Sequence, residues 1–236
     1  MFYSLYRKIS LLVSLPLTIF FNFYYLPFRQ AIKLPIILYF PRFYALKGKI
    51  IIDSQFVKFG MIRMGLFNSP ILQKKGFSWM NEGGTVIFRG NASFGAGTVL
   101  KIGTNPNAML VFGNNFGNAI AVNIDCNYKI IFGYNVLIGW DTIIMDSSMH
   151  RLKTSDGKYA HKGYDEVYIG NDNWITTKCI ILPGTKTPNK SVIATNSLLN
   201  KDYSAYPEYS LFAGSPAKQI KTGVWRDITD NSIKFD

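Results

Sequence analysis

A chain of 236 residues that is 48% hydrophobic and 15% aromatic can bury a sizeable core, which excludes an intrinsically disordered protein. Its net charge of +12 (26 Lys and Arg against 14 Asp and Glu) comes from dispersed cations instead of a basic polar stripe, which argues against a nucleic-acid partner. Two cysteines, Cys126 and Cys179, make neither a disulfide framework nor a Cys-based metal site, and the expectation is a reducing, cytoplasmic compartment.

Residues 1–48 read as an apolar, basic, largely helical segment. Ile9 to Phe28 carries no charge and lies between Arg7-Lys8 and Arg29. It is long enough to reach across a bilayer. Ser10, Ser14, Pro16 and Asn22 interrupt it, and Pro27, Pro35 and Pro41 break the stretch after it. No small-residue cleavage site is evident, which argues against a signal peptide. Seven cations and no acid precede Asp53. Three readings are open: a hairpin lying on the inner face of the cell membrane, a helical cap or oligomer contact, and a spanning helix.

Residues 49–221 read as one β domain. Short strands at Ile50–Ile52, Val86–Phe88 and Val99–Leu100 alternate with glycine-rich turns. From Val111 the pattern becomes regular. Aliphatic or aromatic residues recur every sixth position at Phe132, Ile138 and Ile144, then at Ile169, Ile175, Ile181, Ile193 and Leu199. Only Thr187 breaks the later series. A helix repeats at 3.6 residues and a strand at 2. A period of six predicts an all-β solenoid in which each flat side contributes one large inward side chain. The polar segment 146–166 interrupts the beat and holds both histidines, His150 and His161. A loop extruded from a tight coil is a candidate functional site. After Leu199 the beat stops, and Pro216 takes the chain out of the ladder. Residues 222–236 read as a tail, a short helix or strap covering the end of the stack.

Five blocks now stand in order: Ile169-Gly170-Asn171-Asp172-Asn173-Trp174-Ile175, Ile180-Ile181-Leu182-Pro183-Gly184, Ser191-Val192-Ile193-Ala194, Asn200-Lys201-Asp202 and Ala213-Gly214-Ser215-Pro216-Ala217-Lys218. Together they resemble the C-terminal signature of the hexapeptide-repeat acyltransferases. The resemblance covers residues 85–221 and runs nearest to the sugar O-acetyltransferases of bacterial surface-polysaccharide gene clusters. It implies a left-handed parallel β-helix, a homotrimer with active sites between subunits, acetyl-CoA as donor and no metal.

His150 stands where this family carries its catalytic histidine. A sugar hydroxyl is a poor nucleophile at neutral pH, and an imidazole can take its proton during attack on a thioester. A second group would fix the tautomer. Asp146 is four residues earlier, and Asp125 and Asn123 could stack alongside. Asp146 could equally open the loop as an Asx turn, and Asn123 could hold the acceptor sugar. His161 reads as loop surface or as a substrate contact. For the donor, the resemblance implies Trp174, Thr176 and Thr177 along the CoA arm, with a backbone N–H near Thr177 facing the thioester carbonyl. Ala194 and Thr195 continue that groove, and Lys201, Lys218 and Lys221 would meet the phosphates. Thr176-Thr177 and Ala194-Thr195-Asn196 replace the family's smaller residues, and β-branched Thr narrows the groove.

The leading expectation is an acetyl-CoA-dependent O-acetyltransferase of a polysaccharide or glycolipid precursor. The enzyme alternative is an N-acetyltransferase of an amino sugar, nucleotide-linked or free. A zinc carbonic anhydrase would need three imidazole ligands, and the chain has two histidines. The non-enzymatic alternative is an inactive, membrane-associated scaffold.

Overall fold

The computed structural model describes residues 2–66 and 76–229, and of residues 2–7 the backbone alone. The chain opens with a helix, α1 (Phe2–Tyr25), a short turn of helix, α2 (Phe28–Ala31), and the first coil, β1 (Ile36–Leu38), β2 (Pro41–Leu46) and β3 (Lys49–Ile52). Each strand of the coil goes to a different sheet. Among the described residues, face 1 grows from β1 to nine strands, face 2 from β2 to seven and face 3 from β3 to five. The pairs are parallel except the last, and the coil is a left-handed parallel β-helix.

The six-residue beat becomes a set of vertical stacks. Ile138 registers with Ile175 and Ile175 with Ile193 on face 1, and Ile144 with Ile181 and Ile181 with Leu199 on face 2. All of these residues are fully buried. On face 3, Phe88, Phe112 and Phe132 stack ring on ring, with centroids 5.3 and 5.4 Å apart and planes tilted by 11° and 8°. Adjacent strands lie about 4.8 Å apart, so like residues one coil apart land on one another. The beat is ragged before Val111 because the early coils hold bulky Phe77, Trp79 and Phe94 and carry register shifts at Phe43/Ala45 and Met64/Leu66.

The boundary at residue 49 moves. β1 and β2 lie within 1–48 and already pair into faces 1 and 2. The helical part is therefore residues 2–31, the long helix α1 followed by the single turn α2. Ser10, Ser14 and Asn22 do not interrupt it, and Pro16 sits inside it. Residues four apart share one helix face, and here Ser10, Ser14, Thr18 and Asn22 form a buried polar line. Ser14 Oγ accepts the Phe40 N–H at 2.9 Å and Thr18 Oγ1 the Leu38 N–H at 3.2 Å. Asn22 accepts the Ile36 N–H at 3.1 Å and donates to the Ile36 carbonyl at 2.7 Å. The line satisfies the outer edge of β1, the terminal strand of face 1 among the described residues.

At the other end, Ser210–Gly214 joins face 1, and Ala217–Thr222 folds back antiparallel on it. The chain then straps the side of the stack. Trp225 packs edge-on to Tyr209, and Arg226 donates to the Asn135 carbonyl at 3.0 Å. Residues 230–236 of the expected tail lie outside the described residues.

Candidate active site

Two corners of the triangular coil carry the candidate residues. The loop leaves at the corner between faces 2 and 3, after Ile143–Met145 and before Val167–Ile169. Asp146 starts it and is fully buried. Its two oxygens accept the N–H groups of Asn127 at 2.8 Å and Tyr128 at 2.9 Å, one coil below. Burial pushes the carboxyl above its ordinary range, and those N–H groups pull it partly back. Ser147 and Ser148 then bond to the Gly163 carbonyl, which closes the loop's root. Met149 takes a left-handed conformation (φ 58°), and His150 comes next, in solvent.

The structure gives both candidate orienting acids other partners. Asp146 is committed to the coil corner. Asp125, outward on face 2, is paired with Lys101 at 2.9 Å and accepts from Asn127 at 2.8 Å. Among the described residues neither carboxylate bonds the His150 ring. Asn123 is exposed two residues from Asp125, on the same outward side of face 2. His161 Nδ1 accepts the Gly163 N–H at 2.9 Å, which puts a neutral ring's proton on Nε2. Its ring borders a recess with Ser148, Tyr164, Leu182, Pro183 and Asn200.

The corner between faces 1 and 2 carries the candidate donor residues. Thr176-Thr177 come after the strand Trp174–Ile175, and Ala194-Thr195 after Val192–Ile193 directly above. Thr176 Oγ1 donates to the Ile193 carbonyl at 2.8 Å and lies 3.1 Å from Thr195 Oγ1. The substituted threonines thus bond one another along the corner. Gly139 lies one coil below, where a Cβ would come within 2.5 Å of the Thr176 backbone. The Thr176 N–H bonds the Ile193 carbonyl and the Lys178 N–H the Trp140 carbonyl, but among the described residues the Thr177 N–H between them has no acceptor. Thr195, between Ala194 and Asn196, repeats this pattern one coil up. Trp174 is partly exposed on face 1. Lys218 pairs with Ala213 and Lys221 with Leu211 on the terminal hairpin, which continues face 1 above Val192–Ile193. Lys201 lies apart, beside the other corner, with its ammonium 5.3 Å over the Tyr203 ring.

Within one chain, therefore, His150 and Thr177 stand at opposite edges of face 2. Sequence reasoning missed Lys101 as the partner of Asp125. Strand alternation one coil earlier could have found it.

No family model matches the chain. The chloramphenicol acetyltransferase of Morganella morganii is 47% identical over 53 residues, 22% of this chain and 24% of the relative. The putative lipopolysaccharide biosynthesis O-acetyl transferase WbbJ of Escherichia coli K12 is 26% identical over 151 residues, 61% of this chain and 74% of the relative. Among solved structures, the polySia-specific acetyltransferase NeuO shares the fold, with a TM-score of 0.53 and 22% identity over 81% of this chain and 74% of that one. The chain spans only 24% to 35% of the length of the first curated relatives that it matches.

Proposed function

We propose that this chain, one of the hexapeptide-repeat acyltransferases, moves an acetyl group from acetyl-CoA to a sugar hydroxyl of a surface-polysaccharide or glycolipid precursor. The observation that carries this reading is the Thr177 N–H, which has no acceptor among the described residues while the N–H groups of Thr176 and Lys178 on either side are bonded. Such a donor suits a thioester carbonyl that gains negative charge during attack. The likeness to WbbJ supports a glycan acceptor.

His150 takes the proton of the sugar hydroxyl as its oxygen forms a bond to the thioester carbon. The carbon–sulfur bond breaks, and the imidazolium returns the proton to the CoA sulfur. Thr177 N–H holds the carbonyl oxygen, while Trp174, Thr176, Ala194 and Thr195 line the donor arm. Lys218 and Lys221 serve the phosphates. Lys201, over Tyr203, is the weaker candidate for that role. Asp146 acts as a positioning residue, because it fixes the corner from which the loop with His150 departs. Asn123, Asp125 and His161 offer polar groups to the acceptor. A neighbouring copy completes the site, since His150 and Thr177 lie on different edges, and a homotrimer repeats that contact three times.

His150→Ala tests the reading. CoA release with glycan acceptors should fall by about 10²- to 10⁴-fold, with the fold unchanged by circular dichroism. Undiminished turnover would sink it.

A further inference from the structure

α1 is an amphipathic helix turned inside out. A surface helix ordinarily buries its apolar stripe and shows its polar one. Here the polar line Ser10-Ser14-Thr18-Asn22 is buried, while Leu12 is 67% exposed and Val13 62%. Phe20 and Phe23 also face solvent, and beyond the helix Phe28 and Ile32 extend the surface at 70% and 55% exposure. Large apolar side chains exposed together along one helix mark an interaction site. Lys8, Arg29 and Lys33 are exposed around it, and no acid precedes Asp53.

We propose that this face lies in the headgroup region of an anionic phospholipid bilayer, with α1 parallel to the membrane plane. Charge selects the occupant. Lysine and arginine beside an apolar stripe match anionic lipid. A second copy set face to face would oppose these cations to their own kind, with no acid in residues 1–52 to offset them. The polar line selects the orientation. Lys8–Tyr25 is long and apolar enough to span, with a mean hydropathy of 1.3. Spanning would pull Ser14, Thr18 and Asn22 off Phe40, Leu38 and Ile36 and put bare polar groups in hydrocarbon. Lying in the plane buries only the outward face and keeps every one of those bonds. Tyr24, whose hydroxyl donates to the Leu46 carbonyl at 2.9 Å, ties the C-terminal end of the helix to β2. The proposal is independent of acetyl transfer, because lipid binding is read with neither donor nor acceptor present.

Full-length protein is sedimented with vesicles of phosphatidylcholine alone and of phosphatidylcholine mixed with phosphatidylglycerol. Binding is expected to the mixed vesicles, to weaken as salt is raised, and to be released by an alkaline carbonate wash. The double variant Leu12→Glu/Phe20→Glu should lower the bound fraction about ten-fold, because two charges enter the buried face, with helicity and oligomeric size unchanged. Wild-type protein left in the supernatant with both vesicle types overturns the proposal, as does a double variant that binds like the wild type. A change in oligomeric size in that variant assigns the face to a second copy instead. Retention through the carbonate wash overturns the in-plane orientation.

Discussion

Asp146 clamps the coil corner from which the loop departs. A fully buried carboxylate accepting two backbone N–H groups holds two successive coils together where the loop begins. Burial outweighs those bonds, so its folded pKa lies above the ordinary value of 3.8. The folded state therefore binds this proton more tightly than the unfolded chain does. Its stabilising contribution is full below pH 3.8 and is lost as pH rises through the folded value. Asp146→Asn lacks this titration. The stability of the wild type minus that of the variant should therefore move in favour of the wild type between pH 7 and pH 4, read from urea midpoints. A difference that is flat with pH would remove the burial argument. The sequence showed the acid four residues before His150 but not its direction, because a carboxylate at the mouth of a loop fits an orienting group and a corner clamp equally well. Only the stack, which places Asn127 and Tyr128 beneath it, separates the two.

At the scale of elements, α1 carries most of what the sequence hid. Ser10, Ser14, Thr18 and Asn22 are polar breaks along a line of text, and their four-residue spacing makes them one face of a helix. That spacing was legible. What the face meets was not, because the edge of β1 exists only once the first coil has closed. Asn22 is the strongest member of the line, bonded to both the N–H and the carbonyl of Ile36. Asn22→Leu keeps the branched shape and raises helix propensity, yet it leaves two buried backbone groups without partners. The cost should be about 1–3 kcal/mol, read from urea midpoints, with faster amide exchange at Ile36 than in the wild type. A variant as stable as the wild type would mean that water or a shifted helix satisfies that edge. The regular coils behaved differently. The six-residue beat from Phe132 onward predicted their inward stacks because one coil repeats the same environment, so a local pattern there is also a tertiary one. In the early coils, bulges and large aromatics break that equivalence, and the beat fades.

At the scale of the molecule, the coil's topology decides how a site can form. A strand of face 2 separates the corner bearing Thr176-Thr177 from the corner that extrudes the loop. A rigid stack cannot fold one edge onto the other, so a site using both needs two chains, with the loop of one meeting the corner of the next. The motif order in the sequence suggests both halves but cannot show that they face apart, since chain order carries no angle around the coil. Mixed oligomers make the separation measurable. His150→Ala removes the base from one set of chains, and Thr177→Pro removes the N–H from another. Each is expected to be inactive alone. In oligomers formed by co-expressing equal amounts, an interface is restored whenever a Thr177→Pro chain lends its loop to a His150→Ala corner. For a cyclic trimer assembled at random, that is about one interface in four, so activity should return to about a quarter of the wild-type value, with light scattering confirming the trimer. Mixed oligomers of that size with no recovered activity would place His150 and the donor N–H in the same chain, and the shared site would have to be abandoned.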